Sequence, residues 1–312
     1  MTGFLLISQM LQVKNITFSY QKTPVLKDLS FKVKPGDYLA IIGESGSGKS
    51  TLLKVLRGEY DLNKGHVFWK ENEILGPKHN LVIGYDFIKY VAQEFELEPF
   101  ISVAENIGQH LSNFYKEEKK ERVAELLEIV ELTAFAKTKV KTLSGGQKQR
   151  VALARALAKQ PEIILLDESF SHIDNFKKQN LRRNVFSYLK KQNISCIVAT
   201  HDKDDVLGYA DNMIVLNNNK IEAQNTPEQL YKKPQTPLVA SFFGEFNIID
   251  NNIVYAHQLK MVAQSALKVI VKNSYFKGHY YLIEADLDGE KVFFESSEKI
   301  IQNTEIYLEA IT

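Results

Sequence analysis

Residues 38–50 read YLAIIGESGSGKS, a continuous apolar run that leads into a glycine-rich loop ending in Lys49 and Ser50. An apolar run without polar alternation is typical of a strand in the middle of a sheet that is covered on both faces. Residues 43–50 fit the pattern G-x-x-x-x-G-K-[ST], and a helical run, residues 51–57, follows them. Strand, loop and helix in this order predict an α/β fold with a phosphate-binding loop at the start of the helix.

The residue types of this phosphate loop, residues 43–50, suit the binding of a triphosphate. Glycines allow the backbone to curl so that successive N–H groups face inward, and the helix start adds partial positive charge. Lys49 would bridge the β- and γ-phosphates, and the hydroxyl of Ser50 would hold Mg²⁺. The residues expected to bind the nucleotide here are Gly43, Ser45, Gly46, Gly48, Lys49, Ser50 and Thr51.

An acidic pair stands at the end of another apolar run, in residues 163–168, which read IILLDE. Because the carboxyl ends of parallel strands border the ligand crevice, Asp167 would bind the water shell of the Mg²⁺, and Glu168 would reach the attacking water. A helical stretch and a second buried run, residues 194–199, follow. Strand, helix and strand predict a parallel crossover in the same sheet.

Residues 143–147 read LSGGQ and stand just before a helix of small residues, residues 149–159. LSGGQ between a phosphate loop and an IILLDE strand resembles the signature of the ATP-binding-cassette (ABC) family. The resemblance implies that Ser144 and Gly146 bind the γ-phosphate of a nucleotide held by a second copy of the chain, because they would lie far from the phosphate loop of their own fold. ATP and Mg²⁺ are the implied cofactors.

Other elements of the family appear in the expected order, and the resemblance implies a role for each. Tyr20 resembles the aromatic residue on which adenine stacks. Gln93 resembles the glutamine that senses Mg²⁺ and the lytic water. Residues 94–102, which follow it, resemble the segment that touches a membrane partner.

Two further elements complete the resemblance. Residues 171–174 end in Asp174 and resemble the loop that crosses the dimer interface, and His201 resembles the switch histidine that reads the γ-phosphate. The implied catalytic residues are Lys49, Gln93, Glu168 and His201. The implied metal-binding residues are Ser50, Gln93 and Asp167, and Asp174 is implied to belong to the nucleotide-binding residues.

The resemblance covers nearly the whole chain and implies an α/β P-loop NTPase cassette, residues 1–244, with a helical signature subdomain at about residues 94–160. After Gly244 the sequence changes to short β-like runs, and Asp288 and Gly289 stand between two of them as a tight hairpin turn. Residues 245–312 are therefore expected to form a small all-β, OB-like domain.

Residues 226–231 and 242–244, which read TPEQLY and FFG, resemble the end of the importer ATPases that serve sugars, polyamines, ferric iron and oxyanions. The resemblance implies the ATP-hydrolysing subunit of a multi-subunit importer, working as a homodimer at the cytoplasmic face of the cell membrane. The implied partners are integral membrane permease subunits, a second copy of this chain and, through the permease, an external solute-binding protein. Residues 245–312 are short for the paired-barrel tail of that subgroup.

Two other classes of function fit the sequence less well. A non-transport ABC ATPase acting on nucleic acid or the ribosome is expected to carry heptad arms or two cassettes, and this chain shows one cassette and no heptads. The formal net charge of +1, from 39 Lys and Arg against 38 Asp and Glu, also lacks the basic excess of a nucleic-acid binder. A pure binding module is disfavoured because Lys49 and Glu168 are both present.

Composition and the chain start set further bounds. The single cysteine, Cys196, cannot form an intrachain disulfide and favours a reducing compartment. No stretch reaches the roughly 18 to 20 apolar residues that span a bilayer, so the chain is not expected to cross a membrane unaided. Residues 1–9 lack the basic flank of an export signal, and an alternative start at Met10 stays open.

Overall fold

A computed structural model describes residues 10–94 and 96–311 of the chain. The alternative start at Met10 concerns residues 1–9, which lie outside the described residues. The chain divides into two compact units, Met1–Pro227 and Glu228–Thr312. Within the described ranges, no helix has both the length and the apolar composition that a bilayer span requires.

The described residues of the first unit form two β-sheets. Its strands in chain order are β1 (Leu11–Phe18), β2 (Leu26–Val33), β3 (Tyr38–Gly43), β4 (Lys64–Trp69), β5 (Asn72–Glu73), β6 (Ile88–Val91), β7 (Ile163–Asp167), β8 (Ser195–Ala199), β9 (Asn212–Asn217) and β10 (Lys220–Asn225). The larger sheet has the order β10-β9-β3-β8-β7-β6; β10 pairs antiparallel with β9, and the other pairs are parallel. The smaller sheet, β2-β1-β4-β5, is antiparallel. The predicted parallel crossover is confirmed by the pairing of β7 with β8.

Helices cover both faces of the larger sheet. In chain order they are α1 (Lys49–Leu56), α2 (Val103–Gly108), α3 (Lys116–Ile129), α4 (Gly145–Leu157), α5 (Asn175–Lys191) and α6 (Lys203–Leu207), with 3₁₀ turns at Thr133–Phe135 and Val140–Thr142. Successive side chains of β7 point to opposite faces: Ile163 and Leu165 pack in one core with α1, and Ile164 and Leu166 pack in the other with α4 and α5. The apolar strands therefore lie inside a covered sheet, as their sequence predicts.

The helical signature region packs along one stripe of α3. Val123, Leu126 and Leu127 are buried there against α2 and α4, while most of the glutamate and lysine side chains of α3 are exposed. The charge run at the start of α3 is thus a solvated face. The α/β class with a helical signature region is confirmed.

The second unit is mainly β-structure that follows two short helices. Its elements are α7 (Pro227–Lys232), α8 (Pro237–Phe243), β11 (Phe246–Ile249), β12 (Asn252–Tyr255), a 3₁₀ turn (Ala256–Gln258), β13 (Leu259–Val262), β14 (Leu267–Phe276), β15 (Tyr281–Leu287), β16 (Glu290–Ser296) and β17 (Glu305–Ala310). β11 and β12 form a hairpin. Strands β13 to β17 form an antiparallel sheet in the order β13-β17-β14-β15-β16, and its core includes Val269, Ile283 and Phe294.

Asp288 and Gly289 connect β15 to β16 with φ values of 51° and 92°, as expected for a two-residue hairpin turn. The predicted turn and the all-β character of the strands after Gly244 are confirmed. The placement of the domain boundary at residue 244 stays a prediction.

Candidate functional site

The phosphate loop joins the carboxyl end of β3 to α1 through two glycines, Gly43 and Gly48, at positions where a larger residue would be strained. Gly43 has a φ of +155°, and a Cβ there would meet the carbonyl oxygen of Leu216 at 2.3 Å. Gly48 is the N-cap of α1 with a φ of +97°, a left-handed conformation that favours glycine. The sharp turn from strand to helix leaves the N–H groups of the helix start without intrahelical partners, so they can bind an anion. Ser45 and Gly46 are exposed in the middle of the loop.

Lys49 folds back over this loop. Its ammonium group donates to the carbonyl oxygen of Gly43 at 2.8 Å and to that of Glu44 at 3.0 Å. Burial lowers the pKa of Lys49, and the carboxylates of Glu168 and Asp167 act in the opposite direction. A positive charge is therefore held at the loop, near two acidic side chains.

Asp167, the last residue of β7, is buried and accepts hydrogen bonds on both carboxylate oxygens. Ser50 Oγ donates to Oδ1 at 3.0 Å, and the hydroxyl of Tyr90 donates to Oδ2 at 2.9 Å. Burial and the neighbouring Asp167 raise the pKa of Tyr90, so its hydroxyl stays protonated. Within the described ranges, no group of three or more His, Cys, Asp and Glu residues is arranged to hold a metal ion. The oxygens of Ser50 and Asp167 suit a hard divalent cation that takes its other ligands from phosphates and water.

Glu168 adopts a left-handed backbone conformation with a φ of +48°, which is uncommon for a residue other than glycine. The surrounding structure holds it there: its N–H donates to the carbonyl oxygen of Ala199 at 3.0 Å, and its carbonyl oxygen accepts from Ser171 Oγ at 2.8 Å. His201 follows β8, and its Nδ1 lies 3.3 Å from Glu168 Oε1. Glu168 and His201 thus form a contact at the carboxyl ends of neighbouring strands.

Arg182 of α5 forms ion pairs with residues of the turn that follows β8 and contains His201. The guanidinium is 1% exposed and forms ion pairs with Asp202 and with Asp205, whose Oδ1 is 2.5 Å from Nε. Asp205 Oδ2 in turn accepts from Thr200 Oγ1 at 2.7 Å, and Thr200 Oγ1 accepts from the N–H of Asp202 at 3.0 Å. The residues on both sides of His201 are therefore anchored in one buried network.

Tyr20 lies next to the start of α1. Its hydroxyl is 3.1 Å from Thr51 Oγ1, and its ring packs edge to face against Phe18 and Tyr60. The side chain is 54% exposed, so one side of the ring is open to a ligand. Stacking of adenine on this ring stays a prediction.

The signature segment, residues 143–147, forms the start of α4. Ser144 is its exposed N-cap in a capping box: Ser144 Oγ accepts from the N–H of Gln147 at 3.3 Å, and the N–H of Ser144 donates to Gln147 Oε1 at 2.9 Å. A Cβ at Gly146 would meet the carbonyl oxygen of His172 at 2.7 Å, so this glycine is needed for packing against residues 171–174. Among the described residues, no hydrogen bond or ion pair joins Ser144 or Gly146 to the phosphate loop.

Gln149 links α4 to the other parts of the site. Its Nε2 donates to the carbonyl oxygen of Glu168 at 3.2 Å, and its Oε1 accepts from the N–H of His172 at 3.2 Å. Gln149 is fully buried, so these two bonds tie the signature helix to the end of β7. A shift of α4 would therefore move the backbone of the acidic pair.

Gln93 and Asp174 lie outside this hydrogen-bonded group. Gln93 is exposed in the bend that follows β6, and Asp174 is exposed at the N-cap of α5. The structure thus brings together Lys49, Ser50, Asp167, Glu168 and His201, and leaves Gln93, Ser144 and Asp174 on the surface.

Three residues of the site are not among those expected from the sequence: Tyr90, Gln149 and Arg182. The sequence pattern could have indicated Arg182. It lies on the apolar stripe of α5 with Val185 and Leu189, where a charged side chain needs a buried partner. Tyr90 and Gln149 carry no such signal, since a tyrosine in a strand and a glutamine in a helix are common core-edge residues.

Comparison with known proteins gives consistent matches. Residues 26–171 match the family model described as ABC transporter. The chain is 38% identical over 247 residues to the Fe(3+) ions import ATP-binding protein FbpC of Haemophilus influenzae strain 86-028NP, covering 78% of this chain and 70% of that protein. It is 34% identical over 247 residues to the spermidine/putrescine import ATP-binding protein PotA of Clostridium novyi strain NT, with the same coverage of 78% and 70%. Among solved structures, it is similar to an ATP-binding cassette in a dimeric post-hydrolysis state bound to ADP and Pi, with a TM-score of 0.62 and 29% identity, covering 70% of this chain and 98% of that one.

Proposed function

This chain belongs to the ABC transporter family, and from that premise we propose that it is the ATP-hydrolysing subunit of a multi-subunit importer. The observation that carries the ATPase activity is the cluster of Lys49, Ser50, Asp167, Glu168 and His201 at the carboxyl ends of β3, β7 and β8. Relatives named as import ATP-binding proteins support the role in uptake.

Each residue of this cluster has chemistry suited to phosphoryl transfer to water. Lys49 and the N–H groups of the helix start would bind the β- and γ-phosphates. Ser50 and Asp167 would hold Mg²⁺, which when bound neutralises charge on the phosphates. Glu168 would accept a proton from the attacking water, and His201, 3.3 Å away, would orient the Glu168 carboxylate. The left-handed backbone conformation of Glu168 sets the direction in which its side chain leaves the main chain.

A second copy of this chain would complete the site. Ser144 is exposed at the start of α4, a 13-residue helix, and its hydrogen bonds lie within its own cap. An exposed helix start that has no link to its own phosphate loop is available to the γ-phosphate of another subunit. The head-to-tail dimer would thus place one ATP between the phosphate loop of one chain and Ser144 and Gly146 of the other.

A cleft of about 600 Å³ in the first unit supports docking of a membrane permease subunit. More basic than acidic side chains line this cleft. The lysine and arginine residues are Lys54, Arg57, Lys89, Arg155 and Lys159, and the acidic residues are Glu59, Glu94 and Glu96. Ile83 lies at the cleft, and with Leu81 and Val82 it forms three consecutive exposed apolar side chains. A permease segment that combines apolar contacts with acidic residues would fit this surface.

The remaining parts of the proposal follow from this assembly. The chain would sit at the cytoplasmic face of the cell membrane, and an external solute-binding protein would deliver the solute through the permease. The names of the relatives include ferric iron, spermidine and putrescine, and sulfate and thiosulfate. We expect the solute of this system to belong to the same range of ions and small polar molecules.

The test of the ATPase proposal is hydrolysis of MgATP by the purified chain and by Lys49→Ala. The variant removes the ammonium group at the phosphate loop, so we expect turnover to fall by about 100-fold or more. Lys120→Ala, which removes an exposed lysine of α3, serves as the matched control and is expected to match the parent chain. Equal turnover in Lys49→Ala and the parent, with contaminating ATPase excluded, would contradict the proposal.

A further inference from the structure

The Tyr90 side chain reaches two regions of the molecule: it lines the cleft, and its hydroxyl bonds to Asp167 at the proposed cation site. Its side chain lines the cleft together with Arg57, whose guanidinium lies 5.1 Å from the centre of the Tyr90 ring. Its hydroxyl, at the other end of the same rigid ring, donates to Asp167 Oδ2 at 2.9 Å. One side chain therefore spans the distance between the surface proposed for the permease and the carboxylate proposed for the cation.

The hydroxyl of Tyr90 is one of two donors that bond to the Asp167 carboxylate. Ser50 Oγ holds Oδ1 at 3.0 Å and Tyr90 holds Oδ2, so both oxygens are fixed and the carboxylate plane cannot rotate freely. A hydrogen bond to an ionised acceptor is among the stronger protein hydrogen bonds. Loss of the Tyr90 bond would leave the carboxylate held at one oxygen.

Arg57 in the cleft wall contacts the Tyr90 ring. Arg57 contacts the ring as a cation above an aromatic face, and it also pairs with Glu59, its Nε lying 3.5 Å from Oε2. A partner that fills the cleft with acidic groups would compete with Glu59 for Arg57. The Arg57 contact with the ring would then change, and with it the hydrogen bond at the far end.

We propose that Tyr90 is a positioning residue for Asp167, and that it transmits occupation of the cleft to the cation-binding carboxylate. The inference rests on the proposed function, in which the cleft receives a permease segment and Asp167 helps to hold Mg²⁺. Tyr90 would then provide a direct hydrogen bond from the proposed docking surface to the proposed cation site.

Cation affinity tests the positioning role separately from hydrolysis. Mn²⁺ is titrated into the chain bound to a non-hydrolysable ATP analogue, and free Mn²⁺ is followed by electron paramagnetic resonance. Tyr90→Phe keeps the ring and removes the donor, so we expect the apparent Kd of Mn²⁺ to rise about fivefold to tenfold. Analogue affinity in EDTA is expected to stay within about twofold of the parent, because the phosphate loop is unchanged.

Tyr85→Phe is the matched control. The Tyr85 hydroxyl accepts from the N–H of Leu75 at 2.7 Å and from Asn80 Nδ2 at 2.9 Å, away from Asp167. Its Mn²⁺ affinity should equal that of the parent. If Tyr90→Phe also binds Mn²⁺ as the parent does, the positioning role is wrong. If the analogue fails to bind the parent chain in EDTA and in Mn²⁺ alike, the proposed function itself is wrong.

The transmission is tested in the assembled complex with the membrane subunits that co-purify with the chain. The Mn²⁺ affinity of the parent is measured in the isolated chain and in the complex. We expect the two affinities to differ by about fivefold or more. In Tyr90→Phe that change should shrink to within about twofold, because the bond that carries it is missing. A change of equal size in both proteins would overturn the transmission.

Discussion

At the residue scale, Arg182 anchors the turn that carries His201, a residue of the proposed nucleotide site. Its guanidinium is buried among Asp202 and Asp205, and Asp205 holds Thr200, the residue before His201. Removing such a cation from water costs free energy, and the ion pairs with buried Asp205 and with nearby Asp202 offset this cost. The ion-pair network therefore anchors the backbone around His201, whose side chain is 69% exposed and contacts Glu168.

Removing this charge should destabilise the first unit strongly. Arg182→Met leaves Asp205 buried without its cation, so we expect a loss of about 3–5 kcal/mol in the free energy of unfolding. Arg182→Met combined with Asp205→Leu removes both charges and should recover much of that loss. Urea denaturation measures both values.

Arg183→Met is the control, since Arg183 is exposed on the same helix and bonds to Gln179 and Asn180. Its effect should stay within about 0.5 kcal/mol. Equal effects of the Arg182 and Arg183 substitutions would show that the buried network adds nothing to stability.

At the element scale, the start of α4 combines an observed helix cap with a proposed nucleotide-binding role. Ser144 caps the helix, and its exposed hydroxyl is proposed to bind the nucleotide of a second subunit. Aspartate is as good an N-cap as serine, but its negative charge would repel a γ-phosphate. The two functions can therefore be tested by two substitutions at one position.

Ser144→Ala should lower the free energy of unfolding by about 1 kcal/mol, because the cap is lost. Ser144→Asp should keep the stability of the parent within about 0.5 kcal/mol and yet reduce ATP turnover by about tenfold or more. Thermal unfolding and steady-state hydrolysis on the same samples give both readouts. Parent-like turnover in Ser144→Asp would exclude Ser144 from the nucleotide site.

In the second unit, Glu284 of β15 ties three strands together. Its carboxylate accepts from Tyr275 of β14 at 2.6 Å and pairs with Lys291 of β16 at 2.9 Å. The hydrogen bonds from Tyr275 and Lys291 lower the pKa of Glu284 to about 2 from its ordinary value of 4.5. Because the folded pKa is the lower one, the stabilising effect is complete above about pH 4.5 and is lost as the pH falls towards 2.

Glu284→Gln should therefore destabilise strands β14–β16 at neutral pH by about 1 kcal/mol. The difference from the parent should shrink steadily as the pH is lowered below about 4.5. Hydrogen exchange of the amides in these strands measures this local stability at each pH. Glu305→Gln serves as the control: Glu305 pairs with Lys268 at 2.9 Å, both side chains are 52% exposed, and we expect almost no change. A pH-independent difference for Glu284→Gln would contradict the assigned role.

At the scale of the whole molecule, the parallel sheet brings together one half of the proposed nucleotide site, and the other proposed half lies elsewhere. The carboxyl ends of β3, β7 and β8 meet at one edge, which brings Lys49, Asp167, Glu168 and His201 together. Ser144 stands at the start of α4 with no described link to that edge. Two chains, placed head to tail, would join the two halves around ATP.

This arrangement predicts that ATP holds the dimer together and that hydrolysis releases it. Glu168→Gln keeps the shape of the side chain and removes the proposed general base, so the closed state should accumulate. We expect this variant to elute as a dimer with ATP and as a monomer without it in size-exclusion chromatography. Adding Ser144→Arg should restore the monomer, because bulk and charge then occupy the place of the phosphate.

Residual hydrolysis in the same sample distinguishes the possible failures. A Glu168→Gln variant that still turns over ATP at the parent rate would remove Glu168 from the role of base. A variant that is inactive but monomeric at tens of micromolar protein and millimolar ATP would show that ATP alone does not close the dimer.

The sequence by itself determined the elements whose causes are local. Residues 38–50 specify a buried strand, a turn at Gly43 and Gly48 and a helix start, and Asp288 and Gly289 specify a hairpin, because these conformations depend on neighbouring residues. The convergence of Lys49, Asp167 and His201 could also be predicted, since parallel strands end at one edge.

Only the tertiary structure decided how these side chains are held. Tyr90 and Asp167 are 77 positions apart, and they meet because β6 and β7 become neighbours in the sheet. Gln149 reaches the backbone of Glu168 only after α4 packs on the sheet, and Arg182 meets Asp205 only once α5 lies beside β8. A hydrogen bond between distant residues depends on strand order and helix packing, which are properties of the whole core. The apolar stripe around Arg182 indicates that its charge needs a buried partner, but the sequence nearby does not identify Asp205 as that partner.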